Sequence, residues 1–185
     1  MGLDARIRYT KMVIQESFIH LVQEKPFHAI KLKEVCERAG INRTTFYKYY
    51  QDVYDWKEQL EQQCLNRTSE ILLQCNDGNI QDILCLQFQE MKENAELYAL
   101  VASPNFESNV LDLCIAMSME KMDAETKKYF MVKDGMDYQR RWDCYFGIYG
   151  CRGVVECWIR DGMKESPEQL ADYYLTQIRS LVRPS

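Results

Sequence analysis

The sequence predicts an all-α protein, on three observations. Apolar residues recur at three- and four-residue spacing along nearly the whole chain, and no segment alternates cleanly enough for a strand. Only 4 Pro and 8 Gly occur among 185 residues, which leaves little chain for loops. With 46% hydrophobic and 28% charged residues the composition is that of a soluble globular protein. The length suits one domain, or a small module on a larger one.

About nine helices follow in order. Met12, Ile14, Phe18, Leu21 and Val22 form one apolar stripe, so residues 4 to 24 read as a first helix, stopped by Pro26. Leu32, Val35, Cys36 and Ala39 give a short second helix that ends at Gly40, where positive φ is cheap. Asn42 is a good N-cap for a third, over residues 43 to 49. Asp52 caps a long fourth, through Trp56, Leu60, Cys64, Ile71 and Leu72 to Cys75, and "NDGN" is a loop. "IQDILCLQFQEMKEN" and "AELYALVAS" read as the fifth and sixth. Pro104 is placed to open the seventh, which carries "ESNVLDLCIAMSMEKM" and extends toward Phe130. "VKDGMD" is a break, residues 137 to 161 form the eighth helix, and Gly162 closes it. The ninth opens with Ser166 as N-cap, Pro167 at N1 and Gln169 at N3, a capping-box arrangement.

Charge is unevenly placed. Residues 1–50 hold nine Lys/Arg and five Asp/Glu, a balance of +4, while the remainder carries −9, for the total of −5. A basic head on an acidic body suggests a polyanionic partner at one end. No apolar run approaches the ~18 residues of a membrane-spanning helix, and "MGLDARIRYT" has no apolar signal core, so the expected location is cytoplasmic without membrane contact. Most of the eight cysteines sit in apolar periodic segments and read as reduced core thiols. There is no C-x-x-C pair and only His20 and His28, so no metal site or cofactor is expected.

The stretch "RAGINRTTFYKYYQD" supplies the chemistry. Two short helices joined by a tight turn at "AGIN" and packed on a preceding helix make a helix-turn-helix, whose second helix presents its N-terminal residues to a DNA major groove. Arg43 can fork onto guanine O6 and N7, and Thr44 and Thr45 offer a hydroxyl and a methyl to base edges or phosphates. The N-terminus of the helix, set by Asn42, adds positive potential. Tyr47, Tyr49 and Lys48 suit the phosphate backbone, while Phe46, with Val35 and Ile41, turns inward to hold the three helices together.

Residues 8 to 56, above all "AIKLKEVCERAGINRTTFYKYYQDVYDW", resemble the N-terminal domain of TetR/AcrR-type transcriptional regulators, and "GCRGVVECWIRDGMKESPEQLADYY" resembles that family's last two helices. The resemblance implies a DNA-binding domain over residues 1–52 and a helical regulatory and dimerisation domain over 53–185. It implies a homodimer joined by the last two helices, reading a near-palindromic double-stranded operator and released by a small-molecule effector. Lys33, Arg43, Thr44 and Thr45 would then approach bases, and Lys31, Tyr47, Lys48 and Tyr49 phosphates, with Asn42 completing the DNA-contacting set. Where many members carry a Lys at the start of helix 4 this chain has Val53, and Lys57 one turn on is the candidate substitute.

For the body the sequence suggests less. Tyr98, Phe106, Cys114, Met117, Tyr145 and Tyr149 are candidate walls of an effector pocket, because soft and amphipathic side chains suit adaptable binding. Gly147, Gly150 and Gly153 recur every three residues in a helix, at a cost of about 1 kcal/mol each. Close approach of a second helix, within the chain or across a dimer, would offset it, and Trp158 joins them as a candidate interface residue. A regulator acting through a protein partner is the alternative, and oxidation of the thiols is a rival trigger. No nucleophile–base pair or paired acids suggest an enzyme.

Overall fold

In the computed structural model, which describes residues 2–74, 80–121 and 134–182, helices start and stop where local side chains close their ladders. Among the described residues there are nine α-helices and no strand. They are α1 (Gly2–Glu24), α2 (Leu32–Ala39), α3 (Arg43–Phe46), α4 (Val53–Gln74), α5 (Ile80–Glu93), α6 (Ala95–Val101), α7 (Val110–Met119), α8 (Tyr138–Arg160) and α9 (Pro167–Val182). Short 3-10 turns lie at Phe27–Ala29 and Pro104–Phe106. The "NDGN" loop and the extension of α7 toward Phe130 fall outside the described residues. No helix among the described residues is long and apolar enough to cross a membrane.

The predicted caps form. Asp52 Oδ1 accepts from the N–H groups of Tyr54 and Asp55 at 2.8 and 2.9 Å, opening α4. At α9, Ser166 Oγ accepts from the Gln169 N–H at 3.2 Å and Gln169 Oε1 from the Ser166 N–H at 2.8 Å. Gly40, at φ 65°, ends α2, and the Ile41 N–H reaches back to Cys36 O at 3.0 Å.

The chain forms two compact units: Met1–Gln63 with Leu100–Ser108, and Cys64–Ala99 with Asn109–Ser185. The division thus falls inside α4 rather than before it, and a segment from the second half of the chain belongs to the head. The head's core is a set of rings. Phe18 lies flat on Trp56 with centroids 3.7 Å apart, and Phe27 stacks 5.9 Å from Phe18. Phe106 meets Phe27 and Trp56 edge-on at 5.4 and 6.2 Å. All four are at most 2% exposed. Met12, by contrast, is 48% exposed, and buried Thr10 and Ser17 take the inner side of α1. Their hydroxyls donate to Arg6 O at 2.8 Å and Val13 O at 2.7 Å, so burial leaves neither unsatisfied.

Pro104 does not open α7. It starts the 3-10 turn, and Glu107 then adopts φ 56°, a left-handed conformation that breaks any helical ladder before α7 begins at Val110. The turn is strapped to the head by four polar contacts. Asn105 Nδ2 donates to Val22 O at 2.8 Å, and His28 Nδ1 lies 2.7 Å from the Glu107 carboxylate. Lys57 Nζ donates to Phe106 O at 2.6 Å and to Glu107 O at 2.8 Å.

In the second unit α9 packs along α5, and Phe88 meets Trp158 at 5.7 Å and Tyr174 at 5.3 Å. Arg67 pairs with Glu90, and Arg152 bridges Asp112 and Glu156.

Candidate nucleic-acid interface

The surface that could read a duplex is built by the end of α2, the turn and α3. Asn42 Oδ1 accepts from the Thr45 N–H at 2.8 Å and so fixes where α3 begins. That oxygen is committed to the cap, although the residue remains exposed. Arg43 and Thr44 are exposed, and Thr45 is half-buried. Phe46 is fully buried, its ring 5.4 Å from the buried Tyr50 and 6.1 Å from Tyr47. One inward ring thereby orients the outward side chains on either side of it.

The helix is shorter than expected. It ends at Phe46, and the N–H groups of Lys48 and Tyr49 turn back to Thr45 O and Phe46 O, the tighter three-residue spacing. Tyr47 (55% exposed), Lys48 and half-buried Tyr49 therefore project from a turn and not from a continued helix.

The head's cations fall into two groups. Lys25 pairs with Glu34 at 2.5 Å and Arg38 with Glu24 at 2.6 Å, which ties α1 to α2. The Lys25 hydrogen bond, with the Lys31 N–H at 3.0 Å, holds the Glu34 carboxyl below its ordinary range. Lys31, Arg43 and Lys48 are exposed and pair with no carboxylate among the described residues. Lys33 lies 3.7 Å from Glu37, with both side chains more than 60% exposed, a pair too solvated to withhold it from a phosphate.

Lys57 does not substitute for the missing lysine of helix 4. Its side chain is 15% exposed and its ammonium faces the Phe27 and Phe106 rings at 5.1 and 4.8 Å, besides holding the two carbonyls of the strap. Sequence gave no sign of this, because the partners lie about fifty residues downstream and in an irregular turn.

The structure does not bring the six candidate effector residues to one wall. Phe106 belongs to the head's ring core, because the 3-10 turn drives it between Phe27 and Trp56. Tyr98 is 1% exposed, and Met117 is half-buried on α7. Tyr145 and Tyr149 point outward from α8, with rings 6.2 Å apart. Cys114 alone of the six lines a cavity described within the second unit, a space of about 30 Å³ among α5, α7, α8 and α9 that also touches Gln87, Ser118, Met91 and Met119. A shallow groove of about 190 Å³ runs between α8 and α9 past Phe146, Gly150, Cys151 and Tyr173. Neither space is lined by a charged side chain.

Trp158 is likewise not an interface residue. It is 4% exposed, its ring rests on Phe88, and its Nε1–H donates to Glu165 O at 3.2 Å. Gly147 is buried, whereas a Cβ on Gly150 or Gly153 would meet nothing within 4 Å, so no helix among the described residues explains those two. Beside them runs an exposed aromatic stripe. Tyr138, Trp142, Tyr145, Phe146 and Tyr149 follow at i, i+4, i+7, i+8 and i+11, a single stripe of α8 that is 42–74% exposed. The spacing was there to be read.

Five of the thiols are poised against reactivity. Burial pushes Cys36, Cys85, Cys114 and Cys144 up, and Cys151 up to about 11, which leaves little thiolate near neutral pH.

Comparison with known proteins agrees with this geometry. Residues 19–54 match the profile of bacterial regulatory proteins of the tetR family, and residues 78–180 that of a transcriptional regulator C-terminal region. Among solved structures, a TetR transcriptional regulator from Streptococcus agalactiae is 21% identical, with TM-score 0.56 over 95% of this chain and 96% of that one. The dihydroxyacetone kinase operon activator DhaS is 19% identical, with TM-score 0.54 over 94% and 96%. The fatty acid degradation regulator FadR from Bacillus halodurans is 15% identical, with TM-score 0.53 over 94% of each. At such identities the likeness concerns the fold alone. No curated protein matches the sequence.

Proposed function

The chain belongs to the TetR family of transcriptional regulators, and on that premise we propose that it is a homodimeric repressor that binds a near-palindromic operator and leaves it when a small molecule binds the body. The observation that carries the reading is the outward row Arg43, Thr44, Tyr47 and Lys48, oriented by the buried Phe46, with the exposed cations Lys31, Arg43 and Lys48 forming no ion pair among the described residues. Arg43 and Thr44 are placed to read base edges, and Lys31, Tyr47 and Lys48 to hold the backbone.

The exposed stripe of α8 supports the dimer. With Tyr173 of α9 it offers six aromatic side chains that are 42–74% exposed. At ~200 Å² each that is roughly 700 Å² per protomer, close to the ~800 Å² a side of a standard interface. Gly150 and Gly153 leave open backbone beside it, into which a second copy's rings can pack. Gly150→Leu should therefore leave the subunit folded, since a Cβ there meets no described atom within 4 Å, and yet convert a micromolar dimer to monomer in sedimentation velocity. A variant that stays dimeric would remove this face from the interface.

Support for the effector is thinner. The cavity beside Cys114 is small, about 30 Å³, and its uncharged lining fits an apolar or aromatic molecule that enlarges it. Such a ligand should raise the melting temperature and weaken operator binding by the coupling energy, typically ~1–3 kcal/mol. The reading is tested by titrating the protein on its selected duplex: two protomers per site, released by a stabilising ligand, are expected. One protomer per site contradicts the dimer. Stabilising ligands that leave DNA affinity unchanged contradict effector release and favour control through a protein partner.

A further inference from the structure

We propose that Arg8 and Lys11 of α1 form a second, backbone-gripping edge of the DNA interface, beyond the residues of α2 and α3. The proposal rests on the DNA-binding reading and adds two cations to it.

Position is the first argument. Lys11 Nζ lies 5.9 Å from the centroid of the Tyr50 ring. Tyr50 closes the turn after α3, its N–H bonded to Phe46 O at 3.1 Å and its ring 6.4 Å from that of Tyr49. The Lys11 ammonium is thereby set beside the tyrosine turn that ends the recognition element. Arg8, three residues earlier in the same helix, continues that row one turn outward. Both residues are exposed.

Availability is the second. Of the head's other cations, Lys25 and Arg38 are taken by Glu34 and Glu24, and Lys57 by two carbonyls. Lys11 pairs with no carboxylate among the described residues, and Arg8 is exposed. Lys25 and Arg38 are neutralised internally and Lys57 is held by carbonyls, whereas the Lys11 ammonium beside the tyrosine turn stays open to an external anion. A duplex docked on α3 brings phosphates to that side. Such contacts carry no base information: they add affinity and salt dependence equally on every sequence.

The test compares full-length wild type, Arg8→Gln, Lys11→Gln and the double variant on the selected duplex and a scrambled one, across a salt series. Each single change should lower the slope of log K against log salt by about 1, and the double change by about 2. Melting temperature and the ratio between the two duplexes should stay at wild-type values. Unchanged slopes at unchanged stability overturn the proposal. So does a changed ratio between duplexes, which would make these residues base readers. Loss of melting temperature without change of slope assigns Lys11 a structural role through Tyr50 and also overturns it. A wild type that prefers no duplex removes the DNA-binding reading itself, an outcome distinct from the others.

Discussion

Phe106→Ala should destabilise the head by ~3–5 kcal/mol, the usual cost of truncating a fully buried phenylalanine. The residue is 0% exposed, edge-on to both Phe27 and Trp56, with the Lys57 ammonium 4.8 Å from its ring. Stabilities of whole domains are ~5–15 kcal/mol, so the loss is a large share of the total. Denaturant unfolding followed by near-ultraviolet circular dichroism would show it as an earlier transition of the aromatic core. The effect comes from a residue more than fifty positions beyond α3, and DNA affinity should fall with the folded fraction of the head. Lys57→Met should act in the same direction, because it withdraws charge-assisted hydrogen bonds from two carbonyls, each worth ~1.5–3 kcal/mol. If both variants unfold like wild type, the 104–107 turn is not part of the head's core.

Arg43→Ala should weaken binding to the selected duplex by ~1–3 kcal/mol, about ten- to a hundredfold, and flatten the base preference at one position of each half-site. Its guanidinium is exposed at the first position of α3 and is spent on no carboxylate among the described residues. Lys48→Ala should instead weaken all sequences alike and lower the salt slope by about 1. Competition binding at matched salt separates the two. If both variants keep wild-type affinity and preference, the recognition face lies elsewhere.

What could be read from sequence was what is local. Asn42, Asp52, Gly40 and the Ser166–Gln169 pair each act within three or four residues, and each sits where the pattern put it. Arg43, Thr44, Tyr47 and Lys48 were legible as an outward row because Phe46 among them had to turn inward. What failed was what depends on distant partners. Phe106 was grouped with the soft and amphipathic candidates for a pocket wall, and only the strap through Asn105, Glu107 and Lys57 reveals it as head core. Trp158 looked like an interface because three glycines precede it, yet α5 supplies Phe88 to cover it. Met12 fitted the apolar stripe by spacing, but Thr10 and Ser17 could fill the inner face by bonding back to their own helix.

The central claim is that the α3 face reads a duplex. Its most direct measurement is selection of bound fragments from a random duplex library by the full-length protein at physiological salt. The account predicts enrichment of one near-palindromic site, its half-sites about one helical turn apart or a multiple of it, and loss of that enrichment with Arg43→Ala. Recovery of fragments without any shared sequence, or of the same site by the Arg43→Ala variant at undiminished strength, would contradict it.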